Sequence, residues 1–383
     1  MFLRDQKGQA LLFVVLMTSL ILVLATGALA VAGAHRRNVR LQEQQVQVYY
    51  IAEAGLERAL ARMREEPDWL DGVPSGGSVR MAGVEGPYAG GEISEVTLQK
   101  NPEGMGLRVD LTSVGKFIGA QKTLRASLYL VNTRSLLGGL SLLPESPMDL
   151  DIKGKFSLEG TGESTPRLLL NGDLHLSGSA SIEGDVYVSG EVVGRDRVTG
   201  QIHSGLQDLP EFPAIDLTYY EGQARQQGQY YGGDLSWSGT IPLNGVYYVQ
   251  EEANLSGTYY GRGVIVVEGD VTISGDLLPG SEGDALAVIC LGDVDMENNT
   301  VNATIITEGT LFLRGNAEVE GAVLARGISF GQKGKKDKSE GDEEKITGNV
   351  TIRYNDEGIP QDLLMGVVTE LKILSWEEAH PIF

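Results

Sequence analysis

The residues of this 383-residue chain whose types could do chemistry are few: four histidines, one cysteine and a set of acids beside glycines. His35, His175, His203 and His380 are scattered, and no HExxH, CxxC or nucleophile-elbow pattern surrounds them. His175, between Leu174 and Leu176, reads as an outward or internally satisfied position rather than a metal ligand. Cys290 stands in the apolar run 285–291 and reads as a buried, inert thiol; a lone cysteine leaves no internal disulfide to form. Asp173, Asp185, Glu191, Asp270 and Asp276 recur beside glycines. Converging on one face, such acids would cleave a polysaccharide. Turn chemistry accounts for them without catalysis, and the repeat lacks the nonapeptide form that binds calcium. The expectation is no catalytic residue, no metal and no cofactor.

The elements that position these residues are set by glycine. There are 51 glycines against 13 prolines, with 42% hydrophobic residues, a balance that points to tight turns between short strands rather than disorder. The formal net charge of -21 repels phosphate backbones and excludes nucleic acid as a partner of the main body.

The glycines repeat. Gly172, Gly178, Gly184 and Gly190 are six apart, with apolar pairs two and four positions later: Leu174 and Leu176, Ala180 and Ile182, Val186 and Val188. The register returns at Gly239, Gly245, Gly257, Gly263, Gly269 and Gly275, and again at Gly309, Gly315, Gly321 and Gly327. A six-residue step is too short for a hairpin of ordinary strands plus a loop. It suits a β-solenoid, in which each hexad supplies one short strand and one corner, and glycine takes the corner for its positive φ and close backbone approach. Three sides make a coil of about 18 residues. The pattern resembles that of bactofilin-like polymer-forming proteins, which implies architecture and self-association rather than an activity.

Other segments interrupt or flank the solenoid. The stretch 208–237, rich in Gln, Gly and Tyr, reads as an excursion: an exposed adhesive loop or a packed one. The run 333–345 is Lys-rich, then Glu-rich, and reads as a charged surface loop. Between 68 and 131, period-two alternation at 92–98, 107–111 and 124–130 predicts a small antiparallel meander. In the tail, strand-like pieces at 350–354 and 371–376 either cap the solenoid or return to the meander.

The N-terminal stretch 10–34 carries no charge and, as a helix, is long enough to cross a bilayer of about 30 Å. Leu11, Leu12, Phe13, Leu16, Leu20 and Leu24 lead its apolar part. A cleaved secretory signal, cut near Ala32-Gly33-Ala34, would have a shorter apolar run. Beyond it, Tyr49, Ala52, Leu56, Ala59, Leu60 and Met63 recur at helical steps and predict an amphipathic stem ending before Pro67.

Two motifs in this region carry a resemblance. Lys7-Gly8-Gln9-Ala10-Leu11-Leu12 looks like a prepilin leader, and Ala52-Glu53-Ala54-Gly55-Leu56 resembles the AEAG segment of PilX-type, minor-pilin-like pilus assembly proteins. The resemblance covers about the first 65 residues. It implies cleavage between Gly8 and Gln9 and a single-pass anchor in a bacterial cytoplasmic membrane. The bulk of the chain would lie outside the cytoplasm or in a surface filament, with other pilin-like proteins, the pilus machinery and membrane lipid as partners. The positive-inside rule alone gives the opposite orientation, because Arg36, Arg37 and Arg40 outweigh Arg4 and Lys7. Major pilins carry a glutamate at the fifth mature position, where this chain has Phe13.

The expected fold is mainly β with a long N-terminal helix, a small antiparallel meander and a parallel β-helix. The expected organisation is a leader at 1–8, a transmembrane helix at 9–34, a stem at 35–66 and a meander at 67–135. A solenoid follows at 150–330 with an insert at about 193–237, then a charged loop at 331–345 and a C-terminal piece at 346–383. The expected function is a non-enzymatic pilin-like component displaying a solenoid and self-associating through helix or solenoid. The alternatives are a membrane-anchored adhesive scaffold outside any pilus, and a polysaccharide-active enzyme.

Overall fold

The computed structural model describes residues 6–65, 67–103, 106–131, 133–162, 164–207, 209–330, 349–368 and 371–379. Most of the leader, the charged loop at 331–345 and His380 lie outside the described residues. The chain divides into two units, 1–129 with 372–383, and 130–371. The fold is mainly β with one long N-terminal helix, an antiparallel sheet and a large parallel sheet.

In the first unit, helix α1 spans Gln6–Glu65 without a break. No proline interrupts it until Pro67. Thr18 and Thr26 donate their hydroxyls to the carbonyls of Val14 and Leu22 at 2.8 and 3.0 Å, which satisfies these two donors within the helix. Its second half buries Val48, Ile51, Ala52, Leu56, Ala59, Leu60 and Met63. The sheet runs Ser78–Arg80, Gly91–Glu103, Gly106–Phe117, Ala120–Leu130, Leu371–Glu378, with Gly86–Tyr88 beside Gly91–Glu103. Alternate residues Val96, Leu98, Val109, Leu111, Leu124, Ala126 and Leu128 are buried, as period two requires of a sheet covered on one face. The tail strand Leu371–Glu378 thus returns to the meander, where Lys122 Nζ meets a Glu378 carboxylate oxygen at 2.8 Å. The second unit is spliced between two neighbouring strands of this sheet.

That second unit is a stack of parallel rungs. Thr240 opposes Thr258 and Leu168 opposes Val186, eighteen residues apart as the hexads predict. Elsewhere the step differs: Arg262 opposes Ala285, and Ala287 opposes Thr304. Corner loops of varied length absorb the difference.

The winding order is not the chain order. The first rungs, Gly139–Leu142 and Met148–Gly160, lie in the middle of the stack. From there the chain winds outward through Arg167–Leu170 and Gly172–Gly178 to Asp185–Val188 and Ile202–His203. It then crosses to the opposite end, re-enters at Tyr230–Tyr231 and Leu235–Trp237, and winds back. Its last rungs, Val323–Ser329 and Asn349–Tyr354, dock under the first. Leu140 pairs with Val323 and Leu158 with Ile352, so one core of Leu, Ile and Val runs unbroken across the seam.

The crossing is held by a second buried face. Inward residues such as Ile265, Val288 and Ile305 fill the core, yet their outward neighbours Val264, Val266, Ala287, Ile289 and Ile306 are buried too. The stretch 208–237, an excursion in sequence, contains the helix Leu217–Gln227, with Asp216 accepting from the Tyr219 amide at its start. Gln227 Oε1 accepts from the Val246 amide at 2.9 Å, Tyr220 donates its hydroxyl to the Leu363 carbonyl at 3.3 Å, and Ala214–Ile215 pairs with Val367–Val368.

Candidate functional site: the apolar helix and its seat

Two features bear on function, the apolar half of α1 and the corners of the solenoid. Leu11, Leu12, Phe13, Leu16, Leu20 and Leu24 are all exposed. Among the described residues α1 is the one helix long and apolar enough to cross a membrane. Gly8 and Gln9 fall in its first turn.

The AEAG segment sits where α1 meets the sheet. A Cβ on Gly55 would lie 2.2 Å from Ser113 Oγ and 2.9 Å from Ile93 Cγ2. The sheet answers with its own glycine: a Cβ on Gly115 would lie 2.7 Å from both the Ala52 nitrogen and the Val48 carbonyl oxygen. Backbone therefore touches backbone, closer than side-chain layers allow. Ala52 and Leu56 are buried in this seat, while Glu53 and Ala54 are half-buried at its margin. Gln47 Nε2 donates to the Ala89 carbonyl at 2.8 Å, tying α1 to a hairpin tip. Val48, Ile51, Ser113 and Gly115 are seat residues that the apolar stripe read from sequence did not include.

The corner aspartates have a structural task. The Asp173 carboxylate accepts from the Glu191 amide at 2.6 Å, Asp185 from Gln201 at 2.8 Å and Asp276 from Thr300 at 2.9 Å. In one column, Asp270 accepts from the Asp293 amide and Asp293 from the Thr310 amide, each at 2.8 Å. Each carboxylate caps a donor on the next rung. They are spread along the stack rather than gathered, and among the described residues no three His, Cys, Asp or Glu side chains are arranged to hold a metal ion. His175 Nδ1 lies 2.8 Å from Asp151 on a neighbouring rung. Cys290 is buried, which pushes its thiol up to about 12.

The corner glycines fall into groups. Gly172, Gly178, Gly184, Gly257, Gly315 and Gly321 have positive φ. Gly190, Gly269 and Gly309 do not, and are small for another reason: a Cβ at Gly190 would lie 1.7 Å from Asp173 Oδ1, at Gly269 2.6 Å from the Glu251 carbonyl, and at Gly309 2.4 Å from the Gly292 carbonyl. At Gly275 and Gly327 a Cβ would meet only side-chain atoms, at 3.2 Å or more, and at Gly263 it would meet the Leu243 side chain at 3.1 Å and the Gly245 carbonyl oxygen at 3.3 Å. Gly257 and Gly263 lie within the continuous strand Ala253–Val267, which runs through their hexad boundaries.

No family model and no curated protein matches the chain. Among solved structures it is similar to the competence-associated pilin ComZ from Thermus thermophilus, at 14% identity over 88% of this chain and 98% of that one, with a TM-score of 0.38. A likeness at that level says nothing about what this chain does.

Proposed function

We propose that this chain is a non-enzymatic, pilin-like component of a type IV pilus or related envelope assembly, anchored by α1 and displaying its solenoid outside the cytoplasm. One observation carries the reading. A single unbroken helix has an apolar, uncovered first half and a second half seated on an antiparallel sheet through Gly55 and Gly115. Uncovered leucines in the first half are stable only in lipid or against other apolar helices. The AEAG segment, at the seat, supports the PilX-type resemblance. The hydrogen-bonded corner aspartates, each occupied with a rung amide, support a scaffold rather than a catalytic face.

Mass spectrometry of the mature N-terminus from the native host tests this. A chain starting at Gln9 and recovered with membranes or sheared filaments is the expected result. Retention of residues 1–8 in a membrane-bound protein would favour the static scaffold outside any pilus. A chain found only in soluble fractions would overturn the anchor itself.

A further inference from the structure

The hairpin tip between Gly106–Phe117 and Ala120–Leu130 carries Ile118 at φ 44°, followed by Gly119 at φ 79°. A β-branched residue there is strained, and asparagine or glycine is the ordinary occupant of such a turn. Ile118 is also 72% exposed. Its side chain therefore relieves nothing within the chain, and strain of this kind points to a contact the isolated molecule lacks.

The height of this tip along α1 can be read from the seat. Ser113 lies against Gly55, and Gly115 against Val48 and Ala52, so the strand runs toward the N-terminal end of the helix. Three further residues at about 3.3 Å each carry Ile118 about 10 Å farther, level with residues in the mid-forties of α1. On the side of α1 turned away from the sheet, Val39, Val46 and Tyr50 recur at seven- and four-residue steps and are 37%, 55% and 57% exposed. This stripe lies at the height of the tip, on the opposite side of the unit. Exposed Lys116 adjoins Ile118, while Glu43 and Glu53 flank the stripe. Beside the tip, a hollow of about 420 Å³ lined by Glu92, Lys116, Phe117 and Gln121 is roomy enough for the ring of Tyr50.

We infer that the Ile118 tip of one copy docks on the Val39–Val46–Tyr50 stripe of a second copy. The inference rests on the proposed membrane anchor. Two copies held in one bilayer with parallel helices have the knob of one and the stripe of the other at the same height. Lys116 then faces Glu43 or Glu53. The two patches differ, so the contact is heterologous and propagates into a row rather than closing as a pair.

Cysteine cross-linking of the full chain in membranes tests it, with Cys290→Ala as the background and copper phenanthroline as the oxidant. Chains carrying both Val46→Cys and Ile118→Cys are expected to give a ladder of dimers, trimers and higher species, at least tenfold above either single variant. Ile118→Gly is expected to leave folding intact, by relieving the turn. In Tyr50→Cys chains bearing a second cysteine at Lys116, it is expected to lower the ladder tenfold. Membrane-bound chains that give no ladder, or Ile118→Cys alone giving an equally strong dimer, would overturn the contact. Chains absent from the membrane fraction would overturn the anchor reading instead.

Discussion

Gly55 on α1 and Ser113 on the sheet are in such close contact that a single added carbon would collide with the serine hydroxyl at 2.2 Å. Ser113 is fully buried, and its hydroxyl has no hydrogen-bond partner. An unsatisfied buried hydroxyl costs about 1–3 kcal/mol, and overpacking costs a similar amount.

From that contact, Gly55→Ala is expected to destabilise the first unit by about 1–3 kcal/mol, although alanine is the better helix former. Ser113→Ala alone is expected to be neutral or to stabilise by about 1 kcal/mol, and the double variant to recover part of the loss. Urea unfolding of the full chain in detergent, followed by tyrosine and tryptophan fluorescence, measures this. Additive losses would show that the two sites do not meet.

The corner carboxylates give a second expectation. Asp173→Ala strips the acceptor from the Glu191 amide and is expected to cost about 1 kcal/mol. Asp173→Asn keeps an oxygen in place and is expected to stay within about 0.5 kcal/mol of the parent. Equal losses from the two changes would mean that negative charge, not the accepted hydrogen bond, matters at the corner. Thermal melts read by circular dichroism distinguish them.

Acid is expected to weaken the first unit through Glu85. The Arg80 guanidinium holds both its carboxylate oxygens, at 2.5 and 2.6 Å, and lowers its pKa; the Val96 amide adds a bond at 3.3 Å. Because the folded value lies below the ordinary carboxylate value of about 4.3, the stabilisation is complete above that value. It is lost as pH falls through the folded one. Melting temperatures from about pH 6 to pH 3 should therefore fall less steeply for Glu85→Gln than for the parent. Parallel curves would dismiss the contribution.

The winding order makes a stronger demand. Reading along the stack, Tyr354 should be followed by Gly139, much as Gly160 is followed by Arg167 across one corner. A rearranged chain that runs from 207 to 354, through a six-residue corner copied from 161–166, and then from 139 to 206 keeps the crossing segment and is expected to fold. It should melt in one transition, because it keeps each rung pair of the stack in place. Two transitions, or a molten product, would show that the seam between Val323 and Leu140 is not an ordinary rung interface.

Much of this fold was legible because its physics is local. Hexad spacing at 172–190 sets strand and corner length, and an uncharged run from 10 to 34 announces itself by composition. The Gly55 motif was visible, but its partner Gly115 was not, since a glycine in a strand means close approach only once something is known to approach. The order of the rungs was hidden, because each coil satisfies the same pattern and none records its neighbour. The covered outer face did leave a trace. Runs such as Gly263-Val264-Ile265-Val266-Val267 and 285–291 are apolar at consecutive positions, whereas Leu174-His175-Leu176 alternates. Continuous runs mark rungs under the crossing segment, and alternating ones mark rungs facing water. The corner acids looked like candidate chemistry because a sequence lists carboxylates without saying which amide already occupies them.

The solenoid leaves the sheet after Ala120–Leu130 and rejoins it at Leu371–Glu378, on strands that lie side by side. A loop tip is where a fold tolerates a graft. Coils could be gained, lost or exchanged between those two points while the helix–sheet seat built around Gly55 and Gly115 stayed constant.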